Sequence, residues 1–189
     1  MEWFLTQPFN KMIKPTAGAI NQEPPPTVHS VVLAAGTSSR YGEPNKLLEP
    51  VDGEPLVRHA VRTVCASSVD SVTVVVGYEA ERVREAVADQ TVNIRVNKAF
   101  KQGQSTSVAA GVEATQGRGA DAAIFTLGDM PNVTVQSIEK LFEAYCCGAG
   151  TALAAAYDGT RGNPVIFDDR HFDTLANVEG DVGGREILR

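Results

Sequence analysis

Cysteine and histidine are scarce in this chain, with three of each in 189 residues. Cys65, Cys146 and Cys147 lack metal-type spacing and two of them are adjacent, which excludes a recognisable zinc site or a paired disulfide framework. No signal peptide is visible, so reduced thiols in a cytoplasm are the expectation. His29, His59 and His171 fall on a strand start, a helix and a loop, without ligand spacing. No Ser-His-Asp arrangement presents itself. No apolar run approaches the length of a membrane span. A basic excess is also missing: 17 Lys plus Arg stand against 23 Asp plus Glu, a formal charge of −6. That balance argues against nucleic acid as the main partner, because such binding is driven by phosphate neutralisation. A small anionic ligand can still be held by a local pair of cations. There are no internal repeats.

What is present is alternation. The first 27 residues lack sustained periodicity and end in Pro24-Pro25-Pro26, so residues 1–27 are expected to be a poorly ordered extension and stiff linker. From Val28 onward, the pattern predicts strands over Val28–Leu33, Val72–Val76, Val92–Val96 and Ala122–Leu127. Helices are predicted over Leu56–Ser67, Glu79–Ala88, Ser105–Thr115 and Val135–Cys147, the last capped by Thr134. After Gly148 the pattern loosens. Thr151–Tyr157 and Asn163–Phe167 are strand candidates around the turn signal Asp158-Gly159. The expected fold is α/β, a Rossmann-like three-layer sandwich in one domain over residues 28–189: a mostly parallel sheet, helices on both faces and a mixed C-terminal extension. In such folds ligands gather at the carboxyl ends of the strands. Gly36, Gly77, Asn97 and Gly128-Asp129 each follow a strand candidate and should therefore converge on one edge.

The most informative stretch is Leu33-Ala-Ala-Gly-Thr-Ser-Ser-Arg-Tyr-Gly-Glu-Pro-Asn-Lys-Leu-Leu48. A loop of small and hydroxyl residues after a buried strand lets backbone N–H groups face an anion. It is not a Walker loop, since Gly42 is followed by Glu43, nor a dinucleotide fingerprint, since Ala34 replaces its first glycine. Arg40 suits the β- and γ-phosphates of a triphosphate through its planar fork, and Lys46, a compact charge, suits the α-phosphate. Asp129, in Leu127-Gly-Asp-Met-Pro131, sits where a metal bound to those phosphates would lie. A single carboxylate can anchor Mg²⁺ when phosphates and water complete its shell. An Asp in a turn before Pro131 is an equally ordinary arrangement.

Leu33-Ala-Ala-Gly36 followed by Ser39-Arg40, Gly42 and Lys46 resembles the signature loop of nucleotidyltransferases, and the chain is most similar to the molybdenum cofactor cytidylyltransferases. The likeness runs from about Ser30 to Arg189. It implies nucleotide binding by Leu33, Ala34, Ala35, Gly36, Arg40, Lys46, Gly77, Asn97, Gly103, Ser105 and Ser107, with Asp129 as the Mg²⁺ ligand. Capping of a helix start by serine accounts for Ser105 just as well. The likeness also implies an acceptor side at Arg161, Asn163, Asp181 and Arg185, although Asn163-Pro164 also reads as a plain turn and Asp181 as a cap. Catalysis would fall to Arg40, Lys46 and Asp129, which would move CMP from CTP onto the terminal phosphate of a molybdopterin-type cofactor. The implied partners are those two small molecules and a transient recipient molybdoenzyme or its chaperone. The Ala34-Ala35 pair differs from the Ala-Gly usual in guanylyltransferases, whereas Met130 departs toward that type. The family generally continues past this chain's last residue into a strand and helix with further acidic residues. Two rivals stand beside this reading: a guanylyl or sugar-phosphate nucleotidyltransferase, and a non-catalytic cofactor carrier.

Overall fold

The computed structural model describes residues 3–6, 12–13, 24–37, 45–178 and 187–188. In chain order its strands are β1 (Trp3–Thr6), β2 (Met12–Ile13), β3 (Val28–Ala34), β4 (Pro50–Val51), β5 (Glu54–Pro55), β6 (Ser71–Val76), β7 (Asn93–Val96), β8 (Ala122–Leu127), β9 (Ala152–Tyr157) and β10 (Thr160–Asp168). The helices are α1 (Leu56–Cys65), α2 (Ala80–Ala86), α3 (Gln104–Gln116), α4 (Val135–Cys146) and α5 (Phe172–Ala176). Eight strands form one sheet in the order β2-β1-β9-β10-β8-β3-β6-β7. β4 and β5 form a separate small hairpin across Asp52-Gly53, both at positive φ, which the sequence pattern did not reveal.

β3 is buried at all seven positions and pairs in parallel with β6 on one side and β8 on the other. Its side chains alternate between two cores, as the two-residue period of a strand requires. Val28, Val32 and Ala34 join α1, α2 and α4 through Val57, Val61, Val83 and Ile138. Val31 and Leu33 join α3 and α5 through Val108, Val112 and Leu175. The helices meet the sheet through apolar stripes: in α1, Leu56, Val57, Ala60, Val61 and Val64 are buried, the spacing of one helical face. Where α3 crosses β3 there is no room for a side chain. A β-carbon on Gly111 would lie 2.6 Å from Val31 Cγ1.

The parallel core, the helices on both faces and the Thr134 cap agree with the sequence expectation; the Thr134 side chain accepts from Ser137 N–H. The mixed extension is present too, since β10 runs antiparallel to both β8 and β9. Three details differ. The extension is not all linker, because β1 pairs with β9 and β2 with β1; the edge of β9 offers unpaired backbone groups that a neighbouring strand can satisfy. Asn163-Pro164 is not a free turn but lies inside β10, where the pairing with β9 shifts register between Arg161 and Val165. Such an irregularity tolerates a proline, which has no N–H to give the ladder. Finally, α3 begins at Gln104 with Gly103 at its cap position, so Ser105 is not its N-cap.

The two ends of the sheet are closed differently. At the amino end, Asp121 accepts from Thr27 N–H and Asp70 accepts from Val28 N–H. The three cysteines are free thiols. Among the described residues no helix is long and apolar enough to cross a membrane.

His29 lies fully buried in β3 between the hydroxyls of Ser71 and Thr73, with Nε2 2.9 Å from Thr73 Oγ1. Desolvation, reinforced by Arg118 and opposed by Asp70, lowers its pKa to about 4. The folded state therefore holds the ring neutral, and protonation favours the unfolded chain. Stability from this residue is complete above pH 6.5 and is lost as pH falls through 4, a swing of up to about 3 kcal/mol. Urea midpoints measured at pH 7 and 4.5 should fall less for His29→Gln than for the wild type; equal falls would show that His29 carries no part of the acid sensitivity.

Candidate active site

The carboxyl end of the sheet is where the chain leaves β3, β6, β7 and β8, and these four exits are tied to one another by backbone hydrogen bonds. Gly128 N–H donates to Leu33 O at 2.9 Å, Tyr78 N–H to Ala35 O at 3.2 Å, and Asn97 N–H to Val76 O at 2.8 Å. The expected convergence of Gly36, Gly77, Asn97 and Gly128-Asp129 on one edge is thus a property of the structure. Close packing reinforces it. A β-carbon on Gly77 would meet Phe100 Cβ at 2.7 Å and Ala35 Cβ at 2.9 Å, and one on Gly128 would meet Ala34 Cβ at 3.2 Å. Around Gly36 the opposite holds: among the described residues, no atom lies within 4 Å of where its β-carbon would be. Leu33, Ala34 and Ala35 are buried.

Lys46 opens a short 3₁₀ turn, Lys46–Leu48, held from both sides. Leu47 is buried in the core beneath it, and Asn45 Oδ1 accepts from Leu47 N–H at 3.1 Å. With the turn fixed, Lys46 Nζ reaches Asp129 Oδ2 at 3.2 Å, across 83 residues of sequence. Both side chains remain partly open, 38% and 40% exposed, so the pair is accessible rather than sealed. Asn45 was not singled out by the sequence reading. It is only 2% exposed, and its Nδ2 finds no hydrogen-bond partner among the described residues.

The second wall runs from Asn97 to Ser107. Gly103, at φ 117°, occupies a conformation that favours glycine and swings the chain from the Phe100–Gln102 turn into α3. Asn97 holds this bend together: Nδ2 donates to Thr106 Oγ1 at 2.9 Å and Ser107 Oγ at 3.0 Å, while Oδ1 accepts from Ala99 N–H. Its amide is therefore engaged within the protein. Ser105 and Ser107 are 3% and 6% exposed, so this wall shows little of either hydroxyl. Two aromatic rings that the sequence reading passed over stand beside the wall. Tyr78 and Phe100 have centroids 6.4 Å apart, and Lys101 Nζ lies 6.0 Å from the Phe100 centroid. Tyr78 directly follows a strand-ending glycine, which was the signal available in the sequence.

β10 runs antiparallel to β8, so its first residues, with Arg161 and Asn163, lie at the edge where β8 ends. Arg161 Nη1 donates to Leu188 O at 2.7 Å and so ties β10 to the segment at residues 187–188. Arg40, Asp181 and Arg185 lie outside the described residues. A shallow cavity of about 450 Å³ between β7 and α2, lined by Val76, Ala80, Ile94 and Val96 among others, is separate from the Lys46–Asp129 pair. Among the described residues no group of three or more His, Cys, Asp or Glu is placed to hold a metal. Asp129 is thus a part-exposed carboxylate outside any cluster of three or more such groups among the described residues. That suits a hard divalent ion whose remaining ligands are phosphate oxygens and water, and does not suit an all-protein cage.

Residues 30–189 match the MobA-like NTP transferase domain. The chain belongs to that family. It is 35% identical over 129 residues to the bifunctional protein GlmU of Agrobacterium fabrum, a match that covers 66% of this chain and 28% of that relative. It is 30% identical over 172 residues to the nicotine blue oxidoreductase of Paenarthrobacter nicotinovorans, covering 87% of this chain and 82% of the relative. The chain thus spans little more than a quarter of GlmU but most of the second protein. Among solved structures, Rv0371c from Mycobacterium tuberculosis superposes with a TM-score of 0.77 at 24% identity, covering 86% of this chain and 82% of that one. A second structure of the same protein is a complex with manganese. The family supports nucleotidyl transfer as the chemistry, and its structural neighbours share the α/β fold.

Steric contrast between two site glycines gives a direct check. Gly77→Ala forces a methyl into Phe100 and Ala35 and should cost about 1–3 kcal/mol of stability. Gly36→Ala should stay within about 0.5 kcal/mol of the wild type. Thermal melts of the two variants decide the matter, and equal losses would refute the packing argument.

Proposed function

We propose that this chain is a magnesium-dependent cytidylyltransferase that moves CMP from CTP to the terminal phosphate of a molybdopterin-type cofactor. The observation that carries the reading is the Lys46–Asp129 pair, held 3.2 Å apart at the carboxyl edge where β3 also runs out into Gly36. A loop that presents backbone N–H groups, a cation and a metal-anchoring carboxylate at one strand edge is what transfer at an α-phosphorus requires.

In this reading an oxygen of the acceptor's phosphate attacks the α-phosphorus of CTP in line. The bond from that phosphorus to the bridging oxygen breaks, pyrophosphate leaves, and a phosphoanhydride joins the two halves of the product. No general base is needed, because a phosphomonoester is substantially ionised near neutral pH. Lys46 steadies the α-phosphate as charge builds on it, and Arg40 holds the departing pyrophosphate. Asp129 is the residue that would hold Mg²⁺, which when bound neutralises phosphate charge. Leu33, Ala34, Ala35 and Gly36 line the phosphates, and Gly77 and Gly103 let backbone approach the nucleoside. Asn97, Ser105 and Ser107 shape that wall from behind. Arg161, Asn163, Asp181 and Arg185 form the acceptor side. The product would be consumed by a recipient molybdoenzyme or its chaperone in a reducing cytoplasm.

Similarity to GlmU favours a second reading with equal weight, in which the acceptor is a sugar phosphate. Pyrophosphate release measured across CTP, GTP and UTP, each with molybdenum cofactor and with hexosamine 1-phosphate, separates the two. The expected result is turnover with CTP and molybdenum cofactor, lowered by about 10²-fold or more in Lys46→Ala and Asp129→Ala. Turnover confined to a sugar phosphate would replace the proposal with the second reading. Tight CTP binding without turnover, unchanged by Asp129→Ala, would instead mark a cofactor carrier.

A further inference from the structure

The contact that supports the proposed function also constrains the order in which its ligands arrive. Lys46 Nζ stands 3.2 Å from Asp129 Oδ2, so the carboxylate assigned to the metal already has a cation against it. Among the described residues no group of three or more acidic, imidazole or thiol side chains is placed to hold a metal in place of that ammonium. A divalent ion arriving alone would gain one carboxylate while meeting the ammonium already seated against it.

A divalent ion arriving on a triphosphate meets different electrostatics. Its ligands are then mostly phosphate oxygens, and those same oxygens offer Lys46 a new anionic partner. The lysine side chain is built for such a move. Its backbone is pinned by the Asn45 cap and by buried Leu47, while four methylenes carry an ammonium that is partly exposed.

Resting on the nucleotidyltransferase reading, we propose that Lys46 is an exchangeable counter-ion of Asp129. It blocks tight metal binding before nucleotide enters, and transfers to phosphate when metal and nucleotide bind together. Lys46 is then a positioning residue for the metal as well as a phosphate ligand. Metal and nucleotide affinities become reciprocally coupled through this one side chain, since any coupling between two ligands acts equally in both directions.

The test uses Mn²⁺ alone as probe, counted by electron paramagnetic resonance on nucleotide-free wild type, Lys46→Met, Lys46→Gln and Asp129→Asn. Removing one positive charge beside a divalent site should tighten Mn²⁺ binding by about tenfold in both lysine variants. Asp129→Asn should weaken it. In a parallel measurement, Mn²⁺ should raise wild-type affinity for a CTP analogue with a carbon bridge between its α- and β-phosphates. The inference is overturned if the lysine variants bind Mn²⁺ no better than wild type, or if wild type alone binds it tightly. If the wild type instead binds no CTP analogue with Mn²⁺ present, the nucleotidyltransferase reading is what fails, and the metal titration still reports on the Lys46–Asp129 exchange by itself.

Discussion

Everything at the functional edge depends on β3 being hydrogen-bonded in parallel to both β6 and β8. Parallel pairing in register fixes where three strands end, and β3 is buried at every position, its two polar residues, His29 and Ser30, being hydrogen-bonded within the sheet. The backbone bonds from Gly128 to Leu33 and from Tyr78 to Ala35 then continue the ladder one step past the strands. Two residues 83 positions apart, Lys46 and Asp129, meet because the sheet has already placed their loops.

That division of labour explains which polar groups are free for chemistry and which are not. At the amino edge, Asp70 and Asp121 are engaged with the first backbone N–H groups of the sheet, and His29 is held neutral between two hydroxyls. At the carboxyl edge, Asn97 fastens the Gly103 bend, and Arg161 fastens the segment at Leu188. The Lys46–Asp129 pair differs from these, both its side chains being part-exposed. It is a surface ion pair of the kind that adds little to stability.

Most of the fold was legible in the sequence because alternation of strand and helix patterns is a long-range signal that many residues repeat. Ala122–Leu127 and the Thr134 cap appear as expected, as does the antiparallel return through Asp158-Gly159. The hairpin at Pro50–Pro55 and the strand Trp3–Thr6 were not legible, since two- and four-residue strands carry too few alternations to stand out. The site was legible as a set of strand-end residues. What the sequence could not show was direction. Nothing local says that Ser105 and Ser107 turn inward, that the Asn97 amide is engaged with its own loop, or that Asn45 caps the turn carrying Lys46. Those facts depend on the packing of α3 and of Leu47, which brings together segments far apart in the chain.

The interlock between Ala35 and Gly77 fixes how closely the chain can pack where β3 and β6 end. The methyl of Ala35 lies where a side chain on residue 77 would have to go, and its carbonyl anchors Tyr78. The Ala35 methyl and the Phe100 β-carbon together fill that volume, so position 77 has no room for a side chain. Residue 35 therefore acts as a shim between the ends of β3 and β6: its methyl fills the space beside Gly77 while its carbonyl holds Tyr78 in place.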